Sequence, residues 1–87
     1  MNYRGFEIKP VYSLCADWKL DQHNRIVPRN PKPSDIEYYE VLDPMEGHRR
    51  QMAESTITQC KQEIDKLLDK LGMKDNTAKS WESLNAN

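Results

Sequence analysis

Four side chains in this sequence have the chemistry of a nucleophile, a base or a soft metal ligand: Cys15, Cys60, His23 and His48. A metal site needs several such groups to converge, and none of these residues falls in an H-x-x-x-H or H-E-x-x-H pair that one helix would align. The cysteines form no C-x-x-C pair, so neither a zinc knuckle nor a thioredoxin-type redox couple is encoded locally. Cys60 lies among aliphatic residues at helical spacing and reads as a small core side chain. Cys15 with His23 or His48 is the one nucleophile–base combination available, but no nucleophile-elbow or cysteine-protease motif surrounds it. Glu37 and Glu40 suit an exposed strand. Gly5, Gly47 and Gly72 lie too far apart for a phosphate-cradling loop. These residues lead us to expect no catalytic site, no metal site and no cofactor, and a protein that is not an enzyme.

The charges are more informative. Residues 23–32 hold Arg25, Arg29 and Lys32 and no acid; residues 34–46 hold Asp35, Glu37, Glu40, Asp43 and Glu46 and no base; then His48, Arg49 and Arg50 restore positive charge. One reading is a basic rim of Arg25, Arg29, Lys32, Arg49 and Arg50, with Tyr38 or Tyr39 nearby, that meets nucleic acid through phosphate contacts and stacking. The other is cross-strand pairing of Arg49 or Arg50 with an acid between Glu37 and Glu40, worth under about 1 kcal/mol per exposed pair. Residues 25–31 match R-x-x-P-x-x-P, the form of a polyproline ligand. Pro28, Pro31 and Pro33 are equally suited to an extended connection, the reading we prefer.

The whole chain sets the bounds. Eighty-seven residues make one small domain, and 13 basic against 14 acidic side chains give a net charge of -1. That balance excludes a strongly basic nucleic-acid coat and an acidic tail protein. The longest apolar runs are a few residues, too short for a membrane-spanning helix. The start lacks the apolar stretch of a secretory signal, so the expected compartment is the cytoplasm, with both thiols free.

The positioning elements follow from periodicity. Residues 3–9 alternate, with Phe6 and Ile8 on one face of a strand; Gly5 suits a bulge or a close backbone approach, and Pro10 should limit pairing. Residues 17–21 alternate again, placing Trp18 and Leu20 toward the core; Gln22, His23 and Asn24 suit a turn, and Ile26 and Val27 return as a second strand. Residues 36–42 are rich in strand-forming types, with either tyrosine able to face inward. Asp43, Pro44 and Glu46 resemble a helix start, yet Gly47 would then cost about 1 kcal/mol in a helix interior. We prefer a turn over residues 43–48 and a last strand over 49–54. Ile57, Cys60, Ile64, Leu67, Leu68 and Leu71 form one helical stripe, with Ser55 or Thr56 as N-cap and Gly72 as the C-terminal stop. Beyond it the chain is polar, and Trp81 and Leu84 are expected to belong to a disordered tail.

Residues 3–8, Asp17-Trp18, residues 53–57, Cys60-Lys61 and Ile64-Asp65 together resemble small prophage-encoded proteins of enteric bacteria that have no assigned function. The resemblance spans about residues 3–71 and implies a bacterial cytoplasmic origin and an accessory role, with no catalytic residue carried over. The expected fold is α+β: a three- or four-stranded antiparallel meander packed by one C-terminal helix, occupying residues 1–72, with residues 73–87 as a polar tail. The expected function is docking to another protein, through open strand edges near Pro10 and Pro33 or a tyrosine-rich strand. Nucleic-acid binding through the basic rim is the second reading.

Overall fold

The computed structural model describes residues 1–13 and 17–85. Six strands and two helices follow one another: β1 (Asn2–Tyr3), β2 (Phe6–Tyr12), β3 (Trp18–Leu20), β4 (Ile26–Pro28), β5 (Ile36–Asp43), β6 (Arg49–Glu54), α1 (Ile57–Leu71) and α2 (Ala78–Asn85). The main sheet is antiparallel in the order β1-β2-β5-β6, and β3 and β4 form a separate two-stranded hairpin inserted between β2 and β5. The α+β architecture of an antiparallel sheet followed by a long helix is therefore as expected.

Side-chain alternation gives the sheet two different faces. Phe6, Ile8, Tyr39, Val41 and Met52 turn toward α1, where Cys60, Ile64 and Leu68 complete the buried core. Tyr39 is thus the inward tyrosine, while Tyr38 sits under the Arg50 guanidinium at 5.8 Å. Glu7, Lys9, Glu40 and Leu42 turn to the opposite face, which the hairpin addresses.

Local chemistry sets the element ends. Thr56 Oγ1 accepts from the Gln59 N–H at 3.1 Å and opens α1, and Gly72, at φ 70°, closes it with its N–H on the Asp69 carbonyl. Leu71, at the end of the stripe, turns outward. Asp43 does cap a turn, accepting from the Met45 N–H at 2.9 Å, but the turn stops at Gly47 in the left-handed region, and residues 49–54 are a strand.

Pro10 pairs with Tyr39 on one side and β2 continues to Tyr12, while on its other side pairing has ended, so an edge lies at this proline as expected. Ile8 exchanges backbone hydrogen bonds with Met1, its N–H donating to the Met1 carbonyl at 2.7 Å. Two residues on, Pro10 presents its nitrogen to that same edge, beyond the end of β1, where no N–H is needed.

The tail expected beyond Gly72 is packed instead. Met73 and Asn76 are buried, and Trp81 packs against the core cluster. Asn76 ties three elements together: its backbone N–H donates to the Arg4 carbonyl at 2.8 Å, its Nδ2 donates to Asp43 Oδ1 at 2.6 Å, and its Oδ1 accepts from Trp81 Nε1 at 2.7 Å. A polar stretch is held here because its polar groups find buried partners. Beside it, Asp65 accepts from Tyr3 and Arg4 at 2.9 and 2.7 Å.

Arg4 and Gly5 form the β1–β2 turn with φ of 49° and 86°. A Cβ on Gly5 would lie 2.3 Å from the Asn76 carbonyl oxygen, so the close approach anticipated at this glycine is to the segment after α1. Gly5→Ala is expected to lower stability by at least ~2 kcal/mol, combining left-handed strain with that overlap. Gly47→Ala, also at positive φ but with nothing within 4 Å of the added carbon, is expected to cost only the strain. Urea unfolding of the two variants measures the difference, with the midpoint moving and the slope unchanged.

Candidate functional site

The hairpin sits on the charged face of the sheet and is held there by ion pairs. Arg25 reaches Glu40, whose side chain is only 2% exposed, and Lys9 reaches Asp21. Asp21 also organises the turn: its Oδ1 accepts from the N–H groups of His23 at 2.8 Å and Arg25 at 3.0 Å. Asn24 takes φ 59°, the left-handed geometry anticipated for it. Burial opposes the charge on Asp21, but the Lys9 ammonium and the two N–H donors outweigh it and hold the carboxyl at about 2.

Because Lys19, Asp21, Arg25 and Val27 turn toward the sheet, their alternates turn away. Trp18, Leu20 and Ile26 are 45%, 54% and 50% exposed. This corrects the expectation that Trp18 and Leu20 face the core. The alternation is right, but the covered side of the hairpin is the charged one. Between hairpin and β2 runs a cleft of about 260 Å³ with apolar walls from Pro10, Tyr12, Val27 and Pro28, and with Lys9, Lys19 and Arg29 against the carboxylate of Asp21. A larger hollow of about 500 Å³ shares Pro10, Tyr12, Asp21 and Val27 with it, so this side of the hairpin has room for side chains of a partner.

Of the anticipated basic rim, Arg25 and Arg50 reach the same face of β5, at Glu40 and Tyr38. Arg25 is engaged by Glu40 and Arg29 by Asp17 at 2.9 Å. Lys32 precedes the helical turn Pro33–Asp35, so Pro33 is not at a strand edge. Arg49 and Arg50 lie on β6, opposite Asp43 and Leu42; the acid across from Arg49 is therefore Asp43 rather than one between Glu37 and Glu40.

Of the residues with nucleophilic or ligating chemistry, Cys15 lies outside the described residues. Cys60 is fully buried in the core with Ile64 and Ile57, and burial pushes its thiol up, with the Glu54 carboxylate adding to the effect. The thiolate is disfavoured there. The histidines, by contrast, converge against expectation: the rings of His23 and His48 stack with centroids 4.1 Å apart, and both Nε2 atoms face Glu7 Oε2. His23 comes from the hairpin turn and His48 from the β5–β6 turn, where φ is 62°. No local spacing could have signalled this, because the three residues come from three separate elements.

No family model matches the chain, and no curated protein or solved structure is significantly similar to it. Among the described residues no helix is long and apolar enough to cross a membrane.

Two measurements check the clamp. Arg25→Ala leaves a buried carboxylate uncompensated and is expected to cost about 3–5 kcal/mol, whereas Arg25→Met with Glu40→Leu removes both charges and should recover most of it. For Asp21, whose folded value lies below its unfolded 3.8, stability is fully present above pH 4 and is lost as pH falls toward 2. Asp21→Asn is expected to lower stability at pH 7 by about 2 kcal/mol and to flatten the thermal-melt profile between pH 4 and 2.

Proposed function

We propose that this chain is a non-enzymatic accessory protein of the cytoplasm that docks a protein partner through the β3–β4 hairpin. The observation that carries the reading is the exposed trio Trp18, Leu20 and Ile26 on one side of a hairpin whose other side is clamped to the sheet. Single exposed apolar residues are ordinary, but three on one small face, one of them tryptophan, have the composition of an interface centre. The neighbouring cleft defines the partner's chemistry. Its apolar walls suit an aliphatic or aromatic anchor, and the exposed Lys19 suits a carboxylate beside that anchor. The partner is therefore an apolar protein segment with an acidic residue beside it.

A photo-cross-linking side chain placed at Leu20 in the expressing cells, and in parallel at Lys66 on the exposed side of α1, tests this. The expected result is one cross-linked protein from position 20 and none from position 66. The same pair, purified, should bind about 30-fold more weakly after Trp18→Ala, the effect of losing a hot-spot residue worth about 2 kcal/mol. Cross-links from both positions alike, or a nucleic-acid complex with a steep salt dependence in place of a protein one, would overturn the reading.

A further inference from the structure

We propose that Glu7, His23 and His48 bind a divalent transition-metal ion of the zinc class. The three ligating atoms lie within 4.8 Å of one another. Glu7 Oε2 stands 3.5 Å from His48 Nε2 and 3.8 Å from His23 Nε2. Zinc bonds to imidazole nitrogen and carboxylate oxygen of about 2.0–2.2 Å put neighbouring ligands of a tetrahedron roughly 3.3–3.5 Å apart. The cluster is thus within a few tenths of an ångström of that spacing on its two Glu–His edges.

The same distances are poor for direct contact. A hydrogen-bonded His–carboxylate pair closes to below about 3.2 Å. The other ion pairs that hold this fold do close: Arg4 meets Asp65 at 2.7 Å, and Lys9–Asp21 and Arg25–Glu40 are in direct contact. Among the described residues, only at Glu7 do two bases share one carboxylate oxygen without closing on it. Two stacked imidazoles facing one carboxylate would repel each other if both were protonated. As neutral ligands around a dication they would not.

The donor set of two imidazoles and one carboxylate is the type that selects zinc and its neighbours over magnesium or calcium. The backbones that carry it are pinned. The His23 N–H donates to Asp21 Oδ1 at 2.8 Å, the His48 N–H to the Asp43 carbonyl at 2.8 Å, and Glu7 lies within the paired region of β2. All three side chains are largely sheltered, at 17%, 19% and 34% exposure for Glu7, His23 and His48. Three protein ligands leave a fourth position for water. The ion would join the hairpin turn to β2 and to the β5–β6 turn, adding a third fastening beside the two charged pairs. The site stands independently of what the outer face of the hairpin binds.

Untagged, chelator-stripped protein titrated with Zn²⁺ against a chromophoric chelator tests the site. One ion per chain is expected, with no competition from Mg²⁺. His23→Gln and His48→Gln are each expected to weaken binding at least roughly a hundredfold, since losing a mere outer-sphere partner costs 10–100-fold. Saturating Zn²⁺ should raise the melting temperature by roughly 10 °C or more, and this rise should vanish in the His23→Gln/His48→Gln double variant. The variants must match the parent's melting temperature in chelator for the comparison to hold. The parent's Co²⁺ visible spectrum is a second readout that needs no variant: it should show nitrogen and oxygen ligation. A thiolate-to-cobalt charge-transfer band, an absence of binding, or Zn²⁺ binding undiminished in the double variant would overturn the proposal.

Discussion

Glu40 is a carboxylate buried in the middle of β5, and the arrangement of the hairpin follows from it. A charge in that position costs several kcal/mol unless a cation meets it there. The cation is Arg25, carried by the hairpin, so the hairpin must lie across this face of the sheet. Lys9, directly opposite Glu40 in the register, repeats the arrangement with Asp21. Three consequences come from this one placement. Leu42 is sealed beneath. The apolar alternates Trp18, Leu20 and Ile26 are turned to solvent. His23 is brought onto His48 and Glu7.

The opposite face works by a different physical principle. Phe6, Ile8, Val41 and the α1 stripe bury apolar surface, an interaction that is strong but not directional. Its precision comes from polar fittings at the rim. Asn76 links the β1–β2 turn, the end of β5 and Trp81, and Arg4 with Tyr3 grips Asp65. The Arg4 and Tyr3 hydrogen bonds hold the Asp65 carboxyl below the usual carboxylate range. The two layers therefore divide the labour: hydrophobic burial holds α1 to the sheet, and directional charge pairs hold and orient the hairpin. A hairpin held by its charged side is free to present its apolar side, which is what the docking proposal uses.

Several parts of this were legible in the chain. The α1 stripe, its Thr56 cap and its Gly72 stop are rules that act within four residues, and all three hold. The β3–β4 hairpin, the turn at Asn24 and the strand over residues 49–54 are likewise local. What failed was the inference about which side is covered for the hairpin and for the segment after Gly72, whereas Phe6, Ile8 and the α1 stripe face the core as read. Trp18 and Leu20 are apolar and alternate, yet their partners across the chain are not on that side. The segment after Gly72 is polar, yet Asn76 is buried because Asp43, Arg4 and Trp81 offer it hydrogen bonds from far along the chain.

By itself, then, the sequence determined the hairpin, the last strand, α1 with its two ends and the fold class, because periodicity, capping and turn chemistry are set by near neighbours. Only the tertiary structure decided which face of the hairpin is buried, that Met73, Asn76 and Trp81 pack, and that Glu7, His23 and His48 meet. Those outcomes depend on how a few buried charges and polar groups are satisfied by partners tens of residues away, and no local spacing records that choice.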